Sequence, residues 1–255
     1  MRDEDVVELL QETATAIRAA LGSLSDWGLA GTRHGQYLSD LAADAAALEV
    51  LDRAGVGVLS EESGRHRPDA AMTVVLDPLD GSTNASRGIP WYATSLCAVD
   101  VDGPRAALVI NLATGDRFEA VRGHGATCNG EPLAPSGATS MSESLVALSG
   151  HTHRWLGWYQ YRALGACALD LCAVAAGVVD AYLDCSWNAH GSWDYLGGLL
   201  VCQEAGAMVV DLDGRDLVAL DHDDRRTPIA AATAQLLDEA LAARRELDRE
   251  RPNGR

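Results

Sequence analysis

The tightest constraint on the fold is a short stretch where an apolar run meets two acids. Met72-Thr73-Val74-Val75-Leu76 is rich in β-branched residues, and Asp77-Pro78-Leu79-Asp80-Gly81-Ser82-Thr83-Asn84 follows it with no linker. Any fold must cover that strand and still keep two neighbouring carboxylates at its end. Pro78 predicts a turn there, and Gly81 predicts the start of a helix.

The same logic extends along the chain. Val7, Leu10, Ala14, Ile17 and Leu21 fall at spacings of three and four, so 4–21 is predicted as a helix with one apolar face. A second helix is predicted over 39–54, capped by Ser39 or Asp40 and stopped by Gly55. Val56-Gly57-Val58-Leu59 reads as another buried strand leading into Glu61-Glu62, and 92–122 reads as antiparallel hairpins divided at Asp102-Gly103 and Thr114-Gly115. The stretch 165–180 is apolar nearly all round, which predicts a helix sandwiched between layers. A buried helix over 194–205, strands at Val209-Val210 and 229–232, and a terminal helix over 234–247 fraying toward Pro252 complete the pattern. Helices mixed with two sheet regions point to a layered α/β or α+β architecture.

Composition excludes several classes of partner and mechanism. The formal net charge of −17 opposes binding to a nucleic-acid polymer or an anionic membrane. All 20 basic residues are Arg, which removes Schiff-base chemistry, P-loop lysines and lysine-assisted aspartyl phosphates. The six cysteines form no C-x-x-C pair and are expected as buried thiols, and His151-Thr152-His153 is a weak metal motif. An acidic start and no apolar run near the roughly 20 residues needed to span a bilayer lead us to expect a cytoplasmic protein.

Two carboxylates as close as Asp77 and Asp80 repel each other unless a cation lies between them, and oxygen donors without His or Cys favour Mg²⁺ over Zn²⁺. The amides of Gly81 and Ser82 would then receive an anion shared with that cation. Taken singly, each acidic segment has a plainer reading. Asp-Pro and Asp-Gly are common turn dipeptides, Glu61-Glu62 fits a solvated loop, and Asp194 in Trp193-Asp194-Tyr195 fits a helix cap.

Together, the three acidic segments resemble the signatures of the inositol monophosphatase superfamily: an E-E after a strand, a D-P-[IL]-D-G-[TS] segment, and a W-D-x-x-x-G segment. Gly123-His124-Gly125-Ala126, Arg162-Ala163-Leu164-Gly165, Ala168-Leu169-Asp170-Leu171-Cys172 and Glu204-Ala205-Gly206 extend the likeness over 5–240. The resemblance implies the layered α-β-α-β-α sandwich of the sugar phosphatases, with an N-terminal half over 1–140 and a C-terminal half over 141–255. It implies a homodimeric, lithium-sensitive phosphatase with two or three Mg²⁺ per site, acting on a small phosphorylated polyol or sugar.

By the same resemblance, Glu61, Asp77 and the Leu79 carbonyl hold one ion, and Asp77, Asp80 and Asp194 hold a second. Glu62 is an outer partner. Asp44 pairs with the hydroxyl of Ser82 and passes on the proton of the attacking water. Gly81, Ser82, Arg162, Gly165 and Ala166 line the substrate site, and Asp184 binds the hydroxyls of a polyol, favouring a monophosphate over a bisphosphate. Ser82 stands where Thr is more frequent, Ala85 where an aromatic is usual, and Ala166 where Ser or Thr is frequent. Cys185–Ser192 is longer than usual. It fits either a lengthened surface loop or an added surface for a base or second anion. Fructose-1,6-bisphosphatase activity, a nucleotide 3′-phosphatase and a non-catalytic ligand binder remain alternative readings. A haloacid-dehalogenase reading of Asp211-Leu212-Asp213-Gly214 fails, because too little chain follows and its lysine is absent.

Overall fold

The computed structural model describes residues 1–31 and 36–249. Helix α1 (Asp3–Ser23) buries Leu10, Ala14, Ile17 and Leu21 as the sequence spacing predicts, but the first turn buries Val6 and leaves Val7 only partly covered. Helix α2 (Leu38–Ala54) is capped at Tyr37 rather than at Ser39 or Asp40. Asp40 instead sits in the first turn and accepts the Tyr37 amide at 2.9 Å, so the acid caps from within. Gly55 ends α2 in the left-handed conformation.

The first sheet has eight strands in the order β2-β1-β3-β4-β5-β6-β7-β8. These are β1 (Gly57–Ser60), β2 (Gly64–His66), β3 (Thr73–Asp80), β4 (Ala93–Asp100), β5 (Gly103–Asn111), β6 (Arg117–Val121), β7 (Ala126–Cys128) and β8 (Glu131–Pro132). All of its pairings are antiparallel except that of β1 with β3, where Ser60 stands opposite Leu76. Parallel pairing sends both strands out at the same edge, and the Glu61 amide continues the ladder to Leu76 O at 3.2 Å.

Pro78 does not end the strand. β3 runs on to Asp80 with a register shift between Asp77 and Asp80, so Pro78 and Leu79 bulge opposite the single residue Thr94. A bulge accommodates the missing proline N–H, and the Thr94 hydroxyl donates to Pro78 O at 2.9 Å. The short helix α3 (Ser82–Arg87) begins directly after Gly81.

The second sheet runs β10-β9-β11-β13-β12, built from β9 (Leu145–Ser149), β10 (Gln160–Arg162), β11 (Ala181–Asp184), β12 (Met208–Asp211) and β13 (Pro228–Ala231). Helices α4 (Cys167–Ala175) and α5 (Ser192–Ala205) lie between the sheets, and α6 (Ala234–Arg249) covers the outer face of the second. Along β3, Val74 and Leu76 pack toward α1 and α2, while Val75 packs toward α4 and α5. The layers are therefore α-β-α-β-α, as the family resemblance implies.

The predicted 165–180 helix is shorter. It ends at Ala175, and Gly177 turns the chain left-handed toward β11 against the backbone of Ala134 and Ser136. At Gly198 a Cβ would stand 2.6 Å from Leu171 Cβ and 3.0 Å from Ala168 O, so only glycine allows α4 and α5 to approach this closely.

Candidate active site

The parallel β1–β3 pair brings Glu61 and Asp77 to one sheet edge, and the first turn of α5 brings Asp194 against them. One carboxylate oxygen from each of the three lies within 4.8 Å of the others. Asp77 is buried, its Oδ1 accepting the Leu79 amide at 2.9 Å. Burial raises the Asp77 carboxyl well above the usual range, and the charges of Glu61, Asp80 and Asp194 add to that rise. Burial, then Asp194 and Glu62, push Glu61 up to about 8.

Asp80 borders this trio. Its Oδ2 accepts the Ala168 amide at 2.8 Å, so the first turn of α4 holds it. Burial and Asp194 push Asp80 up to about 7, against the lowering effect of that amide. Three mutually repelling carboxylates converge here. Their oxygen-only donor set fits a hard divalent cation.

Residues 38–249 match the inositol monophosphatase family. A fructose-1,6-bisphosphatase/inositol-1-monophosphatase of Archaeoglobus fulgidus is 34% identical, over 92% of this chain and 96% of its own. An inositol-1-monophosphatase of Mesorhizobium japonicum is 32% identical, over 71% of this chain and 74% of its own. Among solved structures, a Pyrococcus horikoshii protein with similarities to inositol-1 monophosphatase superposes with TM-score 0.81 at 27% identity, covering 94% of this chain and 96% of that one. The chain belongs to the inositol monophosphatase family. It is a phosphoric monoester hydrolase, a phosphatase of sugar phosphates, in a family that is metal-dependent and generally uses Mg²⁺.

Within this inositol monophosphatase fold, the residues singled out from sequence do not all come together. Gly81, Gly165 and Ala166 meet. A Cβ on Gly81 would stand 3.1 Å from Gly165 O and 3.3 Å from Ala166 Cβ, and its φ of 85° also demands glycine. Asn84, which the sequence reading left without a role, fastens this contact by donating from Nδ2 to Trp91 O and Leu164 O, both at 2.7 Å. The only signal for it was its place one turn into the helix after D-G-S.

The Ser60 hydroxyl donates to Asp44 Oδ1 at 2.5 Å and accepts the Glu62 amide at 3.1 Å, and no direct hydrogen bond joins Asp44 to Ser82. Buried on α2 beneath β1, Asp44 therefore reaches the strand end below it and braces the Glu61-Glu62 turn. Glu62 stays outside the trio and accepts a hydrogen bond from the Gln36 side chain. Arg162 is exposed on edge strand β10, where its guanidinium donates to Tyr161 O at 2.8 Å and Gln160 Oε1 at 3.1 Å. Asp184 is fully buried. His151 and His153 line a separate cavity of about 470 Å³ with Arg154 and Trp158.

His190, in the longer 185–192 segment, also reaches these acids. Its Nδ1 lies 3.3 Å from Asp194 Oδ2, which also accepts the Gly191 amide at 2.7 Å, so Asp194 caps α5 while facing the other acids. Burial lowers the imidazole pKa, but the hydrogen bond and charge of Asp194, with Asp184 and Asp80, outweigh it and carry the group up to about 9. A histidine four residues before a helix-capping acid is the sequence signal that pointed there. Trp193 adds a wall to this region, stacked 4.8 Å from the His222 ring and 4.9 Å beneath the Arg225 guanidinium.

Proposed function

We propose that this chain hydrolyses the monophosphate ester of a small polyol or sugar, with Mg²⁺ held by Glu61, Asp77 and Asp194. The observation that carries the reading is the convergence of those three carboxylates within 4.8 Å. When bound, the cation supplies positive charge to the phosphoryl group and activates water. The chain's own residues supply the frame. Asp77 is fixed through the Leu79 amide, Asp80 through the Ala168 amide, and the acidic turn through Ser60 and Asp44. The Leu79 carbonyl and Asp80 complete the proposed ligand set. Gly81 and Ser82 present their amides to the phosphate, beside Gly165 and Ala166.

A second reading, fructose 1,6-bisphosphate as substrate, is favoured by the relative that carries both activities in its name. Phosphate release measured with and without Mg²⁺ on inositol 1-phosphate, fructose 1,6-bisphosphate and adenosine 3′,5′-bisphosphate tests both. Turnover of the first two only with Mg²⁺, and inhibition by lithium, are expected. Undiminished turnover after confirmed metal removal overturns the proposal.

Homodimerisation and cytoplasmic action belong to the same reading. Among the described residues, no helix is long and apolar enough to cross a membrane. A light-scattering mass of 26.9 kDa at every concentration would remove the dimer.

A further inference from the structure

Helix α3 begins at the turn to which the reading above assigns the phosphate, yet none of its residues is buried. A six-residue helix without a buried face has too little packing of its own to hold that turn. Its position comes from tethers. Asn84 donates from Nδ2 to Trp91 O and Leu164 O, both at 2.7 Å, and the Ile89 amide donates to Asn84 O at 3.0 Å. Trp91 O also stands 3.1 Å from the place a Cβ on Gly81 would take, as close as Gly165 O. Trp91 is thus the common neighbour of Gly81 and Asn84.

What fixes Trp91 is a buried acid with no part in the proposed ligand set. The Trp91 indole donates from Nε1 to Asp170 Oδ1 at 2.9 Å. Asp170 is buried in the first turn of α4, where its amide donates to Ala166 O at 2.9 Å. Burial raises its carboxyl well above the usual carboxylate range, against the lowering effect of the Trp91 hydrogen bond. A carboxyl costs more to bury than an aliphatic side chain, and that hydrogen bond offsets part of the cost. Ala168, two residues earlier, gives its amide to Asp80 Oδ2 at 2.8 Å. One turn of α4 therefore grips the Asp80–Asn84 segment twice, directly at Asp80 and through the Trp91 indole at Gly81 and Asn84.

We propose that Asp170 is a positioning residue for the phosphate ester, holding the Gly81–Ser82 turn in register with α4 through Trp91. This rests on the phosphatase reading above and adds to it a residue that acts only through its neighbour.

The test is steady-state kinetics with saturating Mg²⁺ on whichever of the three phosphate esters named above wild type turns over fastest, with inorganic phosphate as competitor. Asp170→Leu removes the acceptor, and Trp91→Phe removes the donor while keeping an aromatic ring. Each should raise KM and the phosphate inhibition constant together by about 10-fold and leave kcat within about 2-fold, because the turn binds the phosphate alike in ground and transition state. The double variant should be no worse than Asp170→Leu alone, since both changes break one hydrogen bond. Asp170→Asn keeps an acceptor oxygen and should stay within about 2-fold of wild type in both constants.

A lower melting temperature with KM and the phosphate constant unchanged would show that the pair serves packing alone, and overturns the proposal. Additive effects in the double variant, or Asp170→Asn as impaired as Asp170→Leu, overturn it equally. If Asp170→Leu does not fold, Trp91→Phe carries the test, and unchanged constants there overturn the proposal. If wild type hydrolyses none of the esters, the phosphatase reading fails instead, so the two failures are distinguishable.

Discussion

The proposed metal side and the proposed substrate side of the site are built in opposite ways. Glu61 and Asp77 stand together because two adjacent strands are parallel and in register, and Asp80 follows three residues later across a bulge. Asp184 and His190 are placed by contacts from far along the chain, from Arg244 on α6, Arg215 after β12, and Arg226 and Thr227 just before β13. The first half stores repulsion between buried charges, and the second stores order in a loop. Local strand geometry positions the acids at the sheet edge, whereas long-range tethers position Asp184 and His190.

The sharpest way to break this contrast is to neutralise one acid of the trio. Asp77→Asn should cost at least about 10³-fold in kcat, since it removes a group on which transition-state charge stabilisation depends. Above about pH 8 the same change should raise the melting temperature in EDTA, because there it removes one of three mutually repelling carboxylates. A variant with wild-type kcat, or one less stable without metal, would contradict the assignment. Asp80→Asn should follow in severity, and Ser82→Ala should be milder, since in the proposed mechanism Asp80 is a direct ligand and Ser82 one link in proton transfer. Steady-state kinetics of all three decide the order.

The loop side should respond in stability and in KM. Arg244→Ala removes a fully buried cation from an ion pair and two carbonyl contacts, a loss of about 3–5 kcal/mol by urea unfolding. Where the variant remains folded, KM should rise about 10-fold with kcat less affected, because the tether orders the substrate side and leaves the trio intact. A variant whose kcat collapses while KM holds would show that the two halves are not separable.

The smallest expected effect is one of pH. Glu61 and Asp80 are raised to about 8 and about 7 from ordinary values of 4.5 and 3.8, so the folded chain without metal binds more protons than the unfolded one. That contribution to stability is fully present below about pH 4 and is lost as pH rises through 7 to 8. A bound cation replaces the protons. The gap in melting temperature between Mg²⁺ and EDTA should therefore widen from pH 5 to pH 8.5, and a gap that narrows would refute the proton competition.

The sequence by itself determined the metal side and the layers. Periodicity in α1, β-branched runs at β1 and β3, and acids at the ends of those runs are local signals, and local geometry turns them into position. It missed that Pro78 sits in a bulge, because a proline that breaks a ladder and one tolerated in a bulge look alike until Thr94 is known to lie opposite. Tertiary structure alone decided that Asp44 braces Ser60, that Asp184 lies buried, and that His190 stands before it. Each depends on which distant groups meet: α2 beneath β1, and α6 against the end of β11. A carboxylate has the same appearance in sequence whether it faces solvent, a cation or an imidazole, because its environment is assembled from residues far away along the chain.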